Sequence, residues 1–279
     1  AYLLQLGEYK MSKVHVLTLI HSEGTSLTSA VPALQAALVQ AGGHLVMPYL
    51  MGDAVVMDSK QVPRGDSASW DFILTRHQSV EAYWAATKSK DYLAAKSKSE
   101  QVLAYGFKRM NAAMVIIPAI LKVFGFLQSL VGAKVNIEKV NEGSAHTETV
   151  TVRGQAGPVD ITHYERHLAD SPQKPFVMVN LIQSATTPKG KKAAMNYQKR
   201  FFKFAMGNGV YGIHGGSVFP LDADSGTETH SFDRIILVHY PSREIFIKMS
   251  RSEYFQRALD EKLDSVIDTQ AFIALYTNR

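Results

Sequence analysis

An α+β fold made of two β-α-β-β-α-β units is what this sequence predicts, and three observations carry that expectation. The first is an internal repeat, the feature to look for before any element is assigned. Ser69-Trp70-Asp71-Phe72-Ile73-Leu74-Thr75-Arg76-His77 lies against Ser231-Phe232-Asp233-Arg234-Ile235-Ile236-Leu237-Val238-His239 at an offset of 162 residues. Val16 to Ile20 matches Met178 to Ile182 at the same offset, and Tyr92 meets Tyr254. The second is periodicity: in each copy, apolar runs of strand length alternate with amphipathic stretches of helical period. The third is punctuation, since Gly42-Gly43 and Gly215-Gly216 follow the first helix of each copy, where glycine lets the backbone turn sharply.

Taken in order, the first copy (11–118) is expected to place a strand at 14–20, a helix at 30–41, strands at 44–49 and 70–76, a helix at 80–96 and a last strand at 113–117. The second copy (175–279) repeats this with a strand at 176–182, a helix at 193–206, strands at 217–219 and 232–240, a helix at 243–260 and a strand at 271–276. That order is the ferredoxin-like arrangement. It covers one face of its sheet with two helices and leaves the other bare, so the bare faces of the two copies are the natural partners for one another.

Between the copies lies a connecting segment, 119–174. The run 112–133, which straddles the end of the first copy and the start of this segment, carries only Lys122, Gln128 and Ser129 as strongly polar side chains and looks at first like a membrane span. Ala113 to Ile117 is claimed by the expected strand and Pro118 interrupts the run, which leaves a helix at 119–134, too short to cross a bilayer untilted. Its wide apolar arc must be buried, against the domains first, another subunit second and a membrane surface third. The spacing of Gly125 and Ser129 suits a close helix–helix approach.

Composition narrows the class. With 46% hydrophobic and 20% charged residues in 279, the chain can bury one large core or two modest ones and is not a disordered segment. Zero cysteines exclude a thiol nucleophile, a zinc ribbon and cysteine-ligated iron. The net charge of +5 is mildly basic. Its densest stretch, Lys189, Lys191, Lys192, Lys199, Arg200 and Lys203, reads more readily as a solvated helix face than as a nucleic-acid surface, because no nucleic-acid motif accompanies it. The first ten residues lack the basic and apolar regions of a signal peptide. The expected location is therefore cytoplasmic, with peripheral membrane association through helix 119–134 as the extension.

The second copy resembles a known family. Pro175-Phe176-Val177-Met178-Val179-Asn180-Leu181, His214-Gly215-Gly216, Phe232-Asp233, Leu237-Val238-His239-Tyr240-Pro241-Ser242-Arg243 and Phe246 to Tyr254 are similar to an uncharacterised family, a domain of unknown function, in the dimeric α+β barrel superfamily. The first copy keeps Gly42-Gly43, Trp70-Asp71 and Tyr92, but has Thr18 in place of the Asn and Gln78-Ser79-Val80-Glu81 in place of Tyr-Pro-Ser-Arg, and reads as a diverged copy. The resemblance implies two sheets packed face to face around a central cavity, completed within one chain. It places the protein near cofactor-free monooxygenases, muconolactone isomerases, polyketide cyclases and haem enzymes such as chlorite dismutase, a spread of chemistry that keeps fold and function separate.

Several residues could carry chemistry. His77 and His239, at matching positions of the repeat, and His214, beside the glycine turn, suit general acid–base work or metal ligation. Asn180 interrupts an apolar strand and needs a hydrogen-bond partner, either across the sheet or on a ligand carbonyl in the cavity. Arg243 opens a helix behind Ser242, a plausible N-cap, and could meet a ligand carboxylate or Asp233, the salt bridge being favoured. The expected catalytic set is His214, Asn180 and His239, and the ligand-binding set Arg243, Tyr240, Tyr254 and His77. No metal motif and no phosphate-cradling loop is present. No cofactor is expected, with haem on a single histidine as the lesser alternative. The leading reading is a barrel that binds a small, largely apolar molecule, extended to a cofactor-independent isomerase, cyclase or monooxygenase. The rival is a non-catalytic protein whose repeat and apolar helix serve assembly with a partner or membrane surface. An open cavity lined by Asn180, a His and a Tyr would favour the first, and an interior plugged by large apolar side chains the second.

Overall fold

The computed structural model describes residues 13–21, 27–47, 50–57, 70–109, 173–221, 232–251 and 253–276. The first copy contains β1 (Val14–His21), α1 (Leu27–Gln40), β2 (His44–Leu45), β3 (Leu50–Met57), β4 (Trp70–His77), α2 (Val80–Thr87), α3 (Lys90–Lys96) and β5 (Gln101–Arg109). The second contains β6 (Phe176–Ser184), α4 (Pro188–Asn208), β7 (Tyr211–Pro220), β8 (Arg234–Tyr240), α5 (Arg243–Arg251), α6 (Glu253–Asp264) and β9 (Val266–Tyr276).

Each copy pairs its strands antiparallel in the ferredoxin-like order. In the first copy β1 lies between β4 and β5, with β2 and β3 on the far side of β4. In the second, β6 lies between β8 and β9, with β7 beyond β8. The two sheets are then stitched together at both edges. Tyr105 to Arg109 of β5 pair with Pro220 to Gly216 of β7, and Leu50 to Met57 of β3 pair with Tyr276 to Ala271 of β9. The circuit closes, so no sheet edge is left at either seam.

Alternation along the strands sorts side chains into three cores. Leu17, Leu19, Trp70, Phe72, Leu74, Tyr105 and Phe107 meet Val177, Val179, Leu181, Ile235, Leu237 and Phe272 inside the barrel. Phe72 and Phe272 touch edge to face across the seam, with ring centroids 5.1 Å apart. The opposite faces pack outward: Val16, Ile20 and Ile73 against Leu34, Leu38, Tyr83 and Tyr92 of the first copy's helices, and Phe176, Met178 and Tyr240 against Phe204, Phe246 and Met249 of the second's.

Several expected boundaries move. The last strand of the first copy is Gln101–Arg109, not 113–117, because β5 begins directly after the short turn that ends α3 and pairs His21 with Gln101. The more apolar run downstream drew the expectation away from it. Residues 113–117, helix 119–134 and the connecting segment as far as 172 lie outside the described residues. The helix expected at 80–96 is two, since Ser89 caps a fresh start by accepting from Tyr92 N. Its counterpart is likewise α5 and α6. The strand expected at 44–49 is only two residues long, and the partner of β9 is β3. Among the described residues no helix is long and apolar enough to cross a membrane.

One register change matters for function. Leu17 opposes Leu74 in the first copy and Val179 opposes Leu237 in the second, so β1 and β6 match at offset 162 but β4 and β8 match at 163. The helix caps follow the new offset, since Ser79 Oγ accepts from Ala82 N and Ser242 Oγ from Ile245 N. Trp70 and Phe232 both still face the barrel, so the second copy carries one extra residue between Phe232 and Ile235. A slip of one residue sends every later side chain to the opposite face. His239 is consequently the counterpart of Arg76, and His77 that of Tyr240.

Candidate functional site

Asn180 does not line the barrel. It lies between Val179 and Leu181, which do, so its amide points outward, where Nδ2 donates to Met178 O at 3.2 Å and to Ile236 O at 3.1 Å. The polar interruption of β6 is satisfied by backbone carbonyls. Thr18, its counterpart, faces the same outer side. Tyr240 is also an outer-core residue: its ring stacks on Phe176 at 4.9 Å and meets Phe246 at 5.2 Å, and burial drives its hydroxyl pKa well above the ordinary value. The side chain of Tyr254 lies outside the described residues.

His77 is packed beneath the first copy's helices rather than at a mouth. Its Nε2 meets Thr75 Oγ1 at 3.0 Å, its ring abuts Tyr83 at 5.2 Å, and Gly43 leaves room for it, since a Cβ there would fall 2.7 Å from His77 Cε1. Burial, helped by the nearby His44, lowers its pKa to about 4. Such a histidine is neutral and structural, so the expected ligand-binding role of His77 and its positional match with His239 are corrected. The favoured Arg243–Asp233 salt bridge is also corrected. The two sit at opposite ends of β8, a strand of seven residues and roughly 20 Å. Asp233 instead accepts from Ser184 N at 2.9 Å and Ser184 Oγ at 3.0 Å, and Arg243 is buried at the start of α5.

Two of the expected histidines do face the barrel. His214 follows a register break in β7, opposite Leu237, and its ring centroid lies 5.8 Å from His15, which stacks on Phe107 at 5.5 Å. This group draws its residues from both copies and is buried. His239 stands at the end of β8, where Nδ1 and the Tyr276 hydroxyl are 2.9 Å apart. Tyr211, paired with His239 across β7 and β8, brings its ring to 4.8 Å. Burial first and Tyr211 second push the Tyr276 pKa up to about 12, so the phenol keeps its proton at neutral pH. The three side chains come from three strands and are all partly open to solvent, at one end of the barrel.

The sequence singled out His239 and His214 but not Tyr276, Tyr211 and His15, which the fold brings beside them. Tyr276 and Tyr211 sit at strand ends, where an aromatic passes for core. The only local signal was alternation: Phe272 and Ala274 face the barrel, so Tyr276 must as well.

No family model matches the chain, and no curated protein matches it. Solved structures do. A protein of unknown function from Rhodopseudomonas palustris is 22% identical over 43% of this chain and 92% of its own, with a TM-score of 0.36. Chlorite dismutase from Candidatus Nitrospira defluvii matches over 100% of this chain and 95% of its own, at 10% identity and a TM-score of 0.46. An anthrone oxidase-like protein matches over 96% and 93%, at 10% identity and a TM-score of 0.41. The fold is a dimeric α+β barrel completed within one chain.

The expectation about cofactors needs correction. Chlorite dismutase-like neighbours are haem proteins, so a barrel of this kind carries no expectation of working without a cofactor. The described residues do not fit a haem either. His77 and His239 already meet Thr75 and Tyr276, His15 and His214 pack on one another, and the barrel interior is occupied by Trp70, Phe72, Tyr105, Phe107 and Phe272. Among the described residues no group of three or more His, Asp or Glu could hold a metal.

Proposed function

We propose that the mouth of the second copy binds a small, largely apolar carbonyl compound and moves a proton on it, in the manner of an isomerase or cyclase. The His239–Tyr276 contact, flanked by Tyr211, is the observation that carries this reading. In the tautomer with Nδ1–H donating to the phenol oxygen, Nε2 is the base and the Tyr276 O–H remains a donor. Nε2 would take a proton from the carbon next to the carbonyl while the Tyr276 hydroxyl stabilises the developing enolate oxygen. Return of the proton to a different atom completes a redox-neutral isomerisation. The raised Tyr276 pKa suits this role, since a phenol that stays protonated stays a donor. The mouth belongs to one copy, because Arg76 stands where the other copy has His239.

The test is solvent-deuterium exchange, followed by NMR, of cyclic enones and aryl ketones incubated with the protein. Wild type should accelerate exchange of at least one probe. Tyr276→Phe and His239→Gln should each lower that rate by roughly 10²-fold or more, the range for a positioned acid or base. Asn180→Ala should not. Background exchange with wild type, or equal rates in all variants, would refute the assignment. The rival reading has an observation of its own, the apolar packing of the barrel interior. On that reading the repeat builds a solid scaffold for assembly, and every probe exchanges at the background rate.

A further inference from the structure

α4 is the longest described helix, 21 residues and roughly 30 Å. Thr187 caps its start by accepting from Gly190 N, and Gly209 ends it in the left-handed conformation at φ 67°. Its inner face carries Ala193, Phe204 and Ala205 into the second copy's core. Two ion pairs tie its flanks to α6, Lys189 to Asp264 at 3.0 Å and Arg200 to Glu261 at 2.9 Å.

The outer face is different. Lys191, Lys192, Met195, Gln198, Lys199, Phe202 and Lys203 are all exposed, and at about 100° per residue they share roughly 140° of arc. The four lysines have no ion pair among the described residues, and α4 contains no Asp or Glu. Met195 and Phe202, 56% and 41% exposed, fall inside the same arc with Lys191 on one side and Lys199, Lys192 and Lys203 on the other. A purely solvated face has no use for a phenylalanine and a methionine at its centre. That combination, apolar side chains set among lysines on a helix lying flat on the protein surface, is the composition of an interfacial helix.

We propose that the outer face of α4 docks the protein on an anionic lipid bilayer. Charge complementarity selects the partner. A like-charged copy of this face would be repelled, and a neutral bilayer would not draw four lysines. Polyanions such as nucleic acid would engage the lysines but offer nothing to Met195 and Phe202, and the arc has no Arg for bidentate phosphate recognition. Phe202 and Met195 would enter the headgroup boundary while the lysine ammonium groups meet lipid phosphates and carboxylates.

The experiment is co-sedimentation of the full chain with phosphatidylcholine vesicles, with and without phosphatidylserine, alongside a DNA duplex binding assay. Wild type should bind only the phosphatidylserine vesicles, and raised salt should release it. Lys191→Glu combined with Lys199→Glu should weaken binding at least about tenfold, since each basic residue near such a surface contributes about fivefold. Phe202→Ser combined with Met195→Ser should also weaken it, with the circular dichroism spectrum and Tm of both variants unchanged because every altered side chain is exposed. Equal binding to neutral vesicles, no binding to anionic ones, or DNA binding of the same strength that ignores the Phe202 and Met195 changes would overturn the proposal.

Discussion

Gly216 sits on β7 opposite Arg109 of β5, at one of the two seams that close the barrel, and its replacement tests the closure directly. Its role is space. A Cβ at position 216 would lie 1.9 Å from Lys108 O and 3.2 Å from Phe107 Cδ2, and the first of these is main chain that cannot rotate away. Gly216→Ala must therefore move the strands apart by more than about 1 Å, in a ladder whose strands run about 4.8 Å apart. Two neighbouring ladder bonds would be lost, and at roughly 1 to 3 kcal/mol for each pair left buried and unsatisfied the cost comes to about 2 to 6 kcal/mol. For a chain of this size the Tm should fall by about 3 to 10 °C. Differential scanning calorimetry reads this, with exposed Ser217→Ala as the control that should leave Tm unchanged. A Gly216→Ala protein that melts with the wild type would mean that β5 and β7 are not paired in solution, and the closed barrel would be wrong.

Two buried groups in the first copy pull the acid stability in opposite directions. Folding lowers the pKa of His77 from 6.5 to about 4, so its contribution is complete above pH 6.5 and is lost as the pH falls to about 4, by about 3 kcal/mol in all. Folding raises that of Asp71 from 3.8 to about 6, chiefly by burial, so its contribution is complete below pH 3.8 and is lost as the pH rises through 6. Asp71→Asn should therefore steepen the loss of stability between pH 6.5 and 4, and His77→Gln should turn it toward a gain; urea midpoints that run parallel in wild type and both variants would contradict the shifts. Asn180→Ala should cost about 1 to 3 kcal/mol of stability, measured by urea unfolding, because it strips donors from two carbonyls. Phe272→Ala, which empties the barrel at a side chain with no exposed surface, should cost about 3 to 5 kcal/mol; a shift under about 1 kcal/mol would mean that the interior is not close-packed. In ¹⁵N spectra of the histidines, Tyr276→Phe should change the Nδ1 resonance of His239 and leave that of His77 alone.

Local chemistry made much of this protein legible in its sequence. The repeat and the β-α-β-β-α-β order depend on periodicity, and Gly42-Gly43 on turn geometry, which neighbouring residues set among themselves, whereas Gly215-Gly216 lies inside β7, where the facing strand and not a turn requires the small residue. Ser242 was legible as a cap for the same reason, as was the lysine run of α4, whose charges stand close in sequence. Tertiary structure decided which face each residue serves. A single extra residue between Phe232 and Ile235 reverses the later part of β8, and no local preference reveals it, because His239 suits either face until the strand is paired with β6. Asn180 interrupts an apolar run equally well whether it points at a ligand or at Ile236 O, and only the neighbouring strand supplies that carbonyl. His239, Tyr276 and Tyr211 belong to three strands spread over 66 positions, from Tyr211 to Tyr276. Their meeting depends on the β6–β8, β6–β9 and β7–β8 pairings, long-range hydrogen bonds that form only when the second copy's sheet assembles.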